Sequence, residues 1–220
     1  MSESTSSKII PIFPLNTLLV PYSYLPLQIF ENRYHQMLED VSHTDNIFGI
    51  SFIKSGQEVG KSAEPYKIGT IAKIIQQTPV SGHRVFVSVF GQERFHIDTI
   101  SNNHSYMTAQ IHYYKETEQD KLKPKLVHKI NAAIAEYIRA VSGLDGSWRR
   151  NISIPTDSIH LSYFILDTLL IKPIEKQILL EVQSLITRLQ MELQIIEREI
   201  KVLRELLGSN KILTKHFYKN

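Results

Sequence analysis

The sequence predicts an α+β protein: a small, strongly bent β-sheet or barrel with one early helix, followed by an all-α bundle that ends in a long helix. Three observations predict it. Prolines punctuate residues 11–26, and an apolar stripe of helical period follows at once. Short runs rich in β-branched and aromatic residues fill 47–114. Beyond Pro124 the apolar period is helical.

Pro11, Pro14 and Pro21 lack an amide donor and hold φ near about −65°, so they mark short edge-type strands and turns. Phe30, Tyr34, Met37, Leu38 and Val41 then form one helical stripe, and Glu31, Arg33, Glu39 and Asp40 fall off it towards water. Ile47–Ile53 and Ile68–Ile75 read as strands, and Thr78–His83 as a turn. Val85, Val87 and Val89 alternate with Phe86, Ser88 and Phe90, a strand with both faces covered, which Gly91 breaks. Phe95–Ile100 and Met107–Tyr114 complete the sheet.

The charged run from Lys115 to Pro124 is the expected boundary between a β-rich subdomain at 8–118 and a helical one at 119–209. Residues 1–7 and 210–220 read as flexible tails. In the helical part, Leu126, Ile130, Ile134, Tyr137, Ile138 and Val141 share a stripe closed by Gly143. A turn-rich loop over 142–155 follows. Thr156 or Asp157 then caps a second helix carrying Ile159, Tyr163, Phe164, Leu166, Leu169 and Leu170. A third helix is expected from about 174 to 207. Leu179, Val182, Ile186, Leu189, Leu193, Ile196, Ile200, Leu203 and Leu207 alternate there in steps of three and four up to Gly208. At ~1.5 Å per residue it would span about 50 Å. Its seam either packs within the chain's own bundle or forms a homodimer.

Several of these stretches carry a resemblance. Phe13–Asn16 (FPLN), Leu25–Leu27 (LPL), Ile29–Glu31 (IFE) and Arg33–Tyr34 (RY) match in order the opening of the Lon substrate-binding domain, found at the N-terminus of ATP-dependent Lon proteases and as a free-standing form. Ile68–Thr70 (IGT), Gly91–Phe95 (GQERF), Glu175–Gln177 (EKQ) with Leu179–Leu180, and Arg188–Leu189 (RL) resemble its later motifs, so the likeness runs from about residue 9 to 207. Tyr22 departs from it, standing where the family commonly has glycine, and a tight turn there would need another conformation. The resemblance implies a PUA-like β-barrel followed by a helical bundle. Full-length Lon proteases use a Ser–Lys dyad on a separate domain after an ATPase with Walker motifs. Neither is expected here.

The composition narrows the chemistry. Its 220 residues hold no cysteine, which excludes disulfides, thiolate metal sites and a cysteine nucleophile. Residues 1–7 have no apolar core or arginine, and no apolar run reaches the roughly 18–20 residues of a membrane span, so a cytoplasmic protein is expected. The formal charge of +3 does not by itself argue for nucleic acid. Gly56–Ser62 imitates a P-loop but has one residue too few between its glycines, and Pro65 and a strand follow where a helix should open. Ser51 and Lys54 have the spacing of a Ser–Lys dyad, yet on a strand they point to opposite faces. Glu116, Glu118 and Asp120 read as a solvated charge run. His83, His96, His104 and His112 lie in or near the sheet, but no ligand pair at helical spacing exists; neither metal nor cofactor is expected, and no catalytic residue.

Two patches remain as candidate partner-binding residues: Tyr22 with Tyr24 in a proline-bounded loop, which could dock an apolar peptide or pack over the sheet, and Trp148, Arg149 and Arg150 between helices. Three functions follow. The first, implied by the resemblance, is a non-catalytic module that binds exposed apolar segments of protein clients, alone or with a separate ATP-dependent protease. The second is RNA binding, which PUA-like barrels support elsewhere and Trp148–Arg150 would serve by stacking and charge. The third is a structural homodimer through the heptad helix.

Overall fold

The computed structural model describes residues 7–60, 63–116, 122–145 and 153–217, with side chains described to Gly143 in one helix and to Leu206 in another. The chain divides into two compact units: residues 1–117 with 171–183, and 118–170 with 184–220. Residues 171–183, expected in the helical subdomain at 119–209, therefore belong to the β-rich unit.

The first unit is built on seven strands: β1 (Lys8–Leu15), β2 (Tyr24–Ile29), β3 (Ile47–Gly56), β4 (Ala63–Pro65), β5 (Ile68–Val80), β6 (Arg84–Ser101) and β7 (Met107–Tyr113). They run in the order β1-β7-β6-β5-β3-β4, and β1 also pairs with β3 in parallel, placing Phe13 opposite Ile50. That pairing closes five strands into a ring, as the expected barrel requires. β2 lies outside the ring, antiparallel to the first half of β6, with Tyr24 opposite Phe90 and Leu27 opposite Val87.

Glycine and phenylalanine set the close packing of the barrel. A Cβ on Gly69 would lie 2.4 Å from the Ile50 carbonyl oxygen and 2.5 Å from the Phe95 ring, and one on Gly49 would lie 2.7 Å from the same ring. Phe95 is fully buried with Ile12, Ile97 and Ile111. A second core joins helix α1 (Asn32–Ser42) to the sheet through Tyr34, Met37, Leu38, Phe48 and Val89. Phe30, expected on that helix, precedes it and is exposed. Glu31 and Arg33 do not face water freely, because their side chains pair at 3.0 Å. Glu31 also accepts from the Gly60 amide at 3.2 Å, and Arg33 lies 4.6 Å over the Tyr34 ring.

Gly91 does not break β6, which runs 18 residues. Its missing side chain instead admits another segment: a Cβ there would lie 2.2 Å from the Val20 carbonyl oxygen. The Tyr22 amide donates to the Gly91 carbonyl at 2.7 Å, and the Gly91 amide to the Ser23 carbonyl at 2.9 Å. Ser23 closes the turn by donating its amide to Val20 at 3.2 Å. With Pro21 second and Tyr22 third at φ 65°, this is the arrangement of a type II turn. The conformation that favours glycine is thus retained with tyrosine in it, against the expectation of another backbone shape.

The first unit also includes helix α4 (Pro173–Glu181). Arg94, 2% exposed, reaches its C-terminus. One guanidinium nitrogen donates to the carbonyls of Leu180 at 2.6 Å and Val182 at 2.8 Å, another pairs with Glu116 at 2.9 Å, and the group lies 5.0 Å from the Tyr114 ring centre. The Tyr114 hydroxyl donates to the Glu181 carbonyl at 3.1 Å, and buried Gln177 donates to the Ile68 carbonyl at 3.0 Å. A cation on the last carbonyls of a helix satisfies acceptors that lack amides and opposes the dipole.

This corrects the continuous helix expected over 174–207. The helix ends at Glu181, Val182 is extended at φ −69° and ψ 118°, and α5 (Leu185–Phe217) starts afresh. Ser184 serves as its cap, accepting the Thr187 amide at 3.3 Å. Gly208, expected to end the helix, does not: α5 continues to Phe217, into the expected tail.

The second unit contains α2 (Pro124–Asp145), α3 (Ser158–Thr168) and α5. Pro124 opens α2, where a missing amide costs nothing, and α2 runs through Gly143 to Asp145. Asp157 caps α3, accepting from the amides of Ile159 at 3.1 Å and His160 at 2.9 Å. Both helices pack on α5, whose Leu189, Leu193, Ile196 and Ile200 are buried with Ile130, Ile134, Leu161 and Leu166. Inside this core Arg188 donates to the Ser162 hydroxyl at 2.7 Å, Ser162 donates to Glu192 at 2.7 Å, and Tyr163 lies 4.5 Å under the guanidinium.

Substitutions at two positions check this reading. Arg94→Ala removes one partner of a buried charge network and is expected to lower the unfolding free energy by about 3–5 kcal/mol in urea titration. Arg94→Lys keeps the charge but not the fork, and is expected to lose about 1–3 kcal/mol; wild-type stability in both would contradict the clamp. A left-handed residue with a side chain costs roughly 1–2 kcal/mol. Tyr22→Gly is therefore expected to unfold at equal or higher urea concentration than wild type, and Tyr22→Val at lower.

Candidate functional site

Strand period decides which side chains β2, β5 and β6 present outward. Val87 and Val89 are buried, so Phe86, Ser88 and Phe90 point the other way. The expected strand with both faces covered is not found. Tyr24 and Pro26 pair with Phe90 and Ser88 and share that outer face. On the other flank, the register of β5 shifts between Ile74 and Gln76, and the extra residue, Ile75, stands out from the sheet. The result is an apolar strip in which Tyr24 is 66% exposed, Ile75 56%, Phe86 48% and neighbouring Tyr22 48%. The Tyr24 and Phe90 rings meet at 5.0 Å and 54°. Both tyrosines named from the sequence are therefore exposed rather than packed away, and the structure adds Phe86, Phe90 and Ile75 beside them. Trp148, Arg149 and Arg150 lie outside the described residues.

A single exposed aromatic is ordinary, but several adjoining ones mark an interaction surface. Polar side chains lie among the strip's rings: Gln28 and Thr78 opposite Phe86, and Ser88 with Gln76 between the two phenylalanines. Lys73, opposite Phe90 on β5, and Arg84, two residues before Phe86 on β6, stand at its edges. A cavity beside β2, bounded by Phe13, Leu25, Leu27, Tyr34 and Val59, holds about 230 Å³. That is below the roughly 300 Å³ at which small-molecule pockets begin. Burial pushes the Tyr34 hydroxyl there up to about 12, so it is neutral and no acid or base at ordinary pH.

The catalytic look-alikes do not assemble. The Ser51 hydroxyl donates to the Tyr66 carbonyl at 2.6 Å while Lys54 reaches Glu64 at 3.2 Å. Gly60 lies at φ 74° in a turn that leads to β4, not to a helix. The four sheet histidines divide. His83 meets His35 at a tilt, with ring centres 4.3 Å apart, and His104 stacks on Tyr106 at 5.4 Å. His96 and His112, cross-strand neighbours on β6 and β7, converge on Asp98. The hydrogen bond from His112, with a further one from His96, holds the Asp98 carboxyl below its ordinary range.

Comparison with known proteins agrees with this architecture. Over 206 residues the chain is 27% identical to the Lon protease of Rhizobium meliloti (strain 1021), covering 92% of this chain and 26% of that protein. The Lon protease of Cytophaga hutchinsonii is 23% identical over 213 residues with the same coverage. The chain thus spans about a quarter of the length of these curated relatives. Among solved structures, the Lon N-terminal domain protein from Xanthomonas campestris superposes with a TM-score of 0.65 at 18% identity, over 85% of this chain and 98% of that one. The N-terminal domain of Mycobacterium avium complex Lon protease gives 0.64 at 15% identity, over 86% and 98%. Residues 9–198 match the sequence model of the ATP-dependent protease La (LON) substrate-binding domain, and the chain belongs to that family.

Proposed function

We propose that the protein is a non-catalytic recognition module that binds exposed apolar segments of protein clients on the outer face of β2, β6 and β5. The observation that supports it is the strip of exposed Tyr22, Tyr24, Ile75 and Phe86 with half-buried Phe90, in a family described as substrate-binding. Such a surface gains from apolar burial, at ~25 cal/mol per Å², less the ordering cost of association. Aromatic side chains give most per residue, because their rings are large and have few rotors to freeze. Because they contact any apolar side chain, recognition tolerates sequence. The module would act in the cytoplasm, alone or with a separate ATP-dependent protease that takes over the client. No described helix is long and apolar enough to cross a membrane.

RNA binding is the weaker reading, since among the described residues the strip's rings have two flanking cations, Lys73 and Arg84, rather than a row of them for phosphates. A homodimer through the heptad helix loses most of its seam. Leu189, Leu193, Ile196 and Ile200 are buried within one chain, and Leu179 lies on α4 in the other unit.

Fluorescence anisotropy with a labelled, permanently unfolded polypeptide tests the proposal. Tyr24→Ser with Phe86→Ser is expected to weaken binding by roughly tenfold or more, about 1.4 kcal/mol, with the melting temperature unchanged. Wild-type binding is expected to persist at high salt. Binding that is indifferent to both substitutions would refute the site. Affinity for RNA that falls steeply with salt would favour the second reading instead.

A further inference from the structure

We infer that His96, Asp98 and His112 form a binding site for one divalent transition-metal ion, zinc being the best chemical match. The inference does not rest on client binding. His96 on β6 lies directly opposite His112 on β7, so their side chains share one face. Asp98 follows two residues after His96, where the register between β6 and β7 shifts. Strand period puts it on the face of His96, within reach of both rings. Nδ1 of His96 is 3.1 Å and Nδ1 of His112 is 2.8 Å from the same oxygen, Oδ1 of Asp98. The rings are 4.9 Å apart, and one ligand atom from each residue lies within 4.8 Å of the other two.

Tetrahedral zinc, with bonds of about 2.0–2.1 Å, holds its ligand atoms roughly 3.3 Å apart. The observed separations bracket that value closely enough for small side-chain rotations to admit the ion. Two imidazoles and one carboxylate suit zinc, copper or nickel rather than magnesium or calcium, which take oxygen ligands. Three protein ligands leave a fourth position open. His96 and Asp98 also line a cleft of about 770 Å³ with Tyr66, Lys67 and Tyr114, and water in that cleft can complete the shell. Without metal, the two short contacts to one oxygen require a proton on both Nδ1 atoms. Metal ligation requires those atoms bare and moves each proton to Nε2. The tautomer therefore reports the site independently of affinity.

The test uses the full, tag-free chain, titrated with zinc chloride by calorimetry and with cobalt(II) by visible absorption. His96→Gln, Asp98→Asn and His112→Gln are compared with His83→Gln and His104→Gln, all checked for fold by circular dichroism. One zinc per chain, weakened roughly tenfold or more by each of the first three substitutions and by neither of the last two, is the expected result. Nitrogen-15 spectra should show both ring tautomers change on adding zinc. Absence of binding, or binding equally affected in all five variants, would overturn the site. If the ligand variants do not fold, unchanged tautomers of His96 and His112 in the wild type with zinc would overturn it equally.

Discussion

The buried guanidinium of Arg94 is the interaction on which most of this architecture depends. It sits on the last carbonyls of α4 and is paired with Glu116, so it ties a helix from residues 173–181 to a strand some ninety residues earlier in the chain. Without it, the α4 carbonyls would lack donors, and the apolar period from 179 to 207 would favour one uninterrupted helix. Arg94 and Tyr114, donating to the carbonyls of residues 180–182, end the helix where no glycine or proline does. The same motif supplies Gly91, which admits the Val20–Ser23 turn, and Phe95, which fills the space left by Gly49 and Gly69. One short stretch thus fixes the barrel core, the turn carrying Tyr22 and the end of α4.

This explains why the family resemblance is legible while the site is not. Many of the residues that carry the resemblance, among them Tyr34, Gly69, Arg94, Phe95, Gln177 and Arg188, are buried and structural, though Phe30, Gln92 and Glu93 are exposed. Their requirements are geometric and leave a pattern. Phe86, Phe90 and Ile75 carry none, because on a strand an exposed phenylalanine reads the same as one facing a second sheet. Only the three-dimensional register shows that nothing described covers that face. Strand existence, the early helix and the Asp157 cap follow from period and capping chemistry. The break at 182–184 does not: its causes are a contact distant in sequence and a serine cap that a heptad count passes over. Gly143 and Gly208 mislead in the opposite sense, since glycine costs a helix only about 1 kcal/mol relative to alanine and stops it only in a left-handed conformation.

The histidines show the same limit. His96, Asp98 and His112 share no helical spacing, and sixteen residues separate the two rings in sequence. Strand pairing alone brings them together. The aromatic strip and the histidine cluster draw on different parts of β6, the first on its half paired with β2 and the second on its half paired with β7. Gly91 lies between the halves. A single long strand therefore serves two surfaces of different chemistry, one apolar and sequence-tolerant, one polar and geometrically defined.

The central claim is that clients contact the outer face of β2, β5 and β6. Amide chemical-shift mapping on nitrogen-15-labelled protein, titrated with an unfolded polypeptide, tests it most directly. The expected result is a contiguous set of perturbed amides over 22–26, around 75 and over 86–90, unchanged when salt is raised. Perturbations confined to the helices, or to the face of His96 and His112, would contradict it.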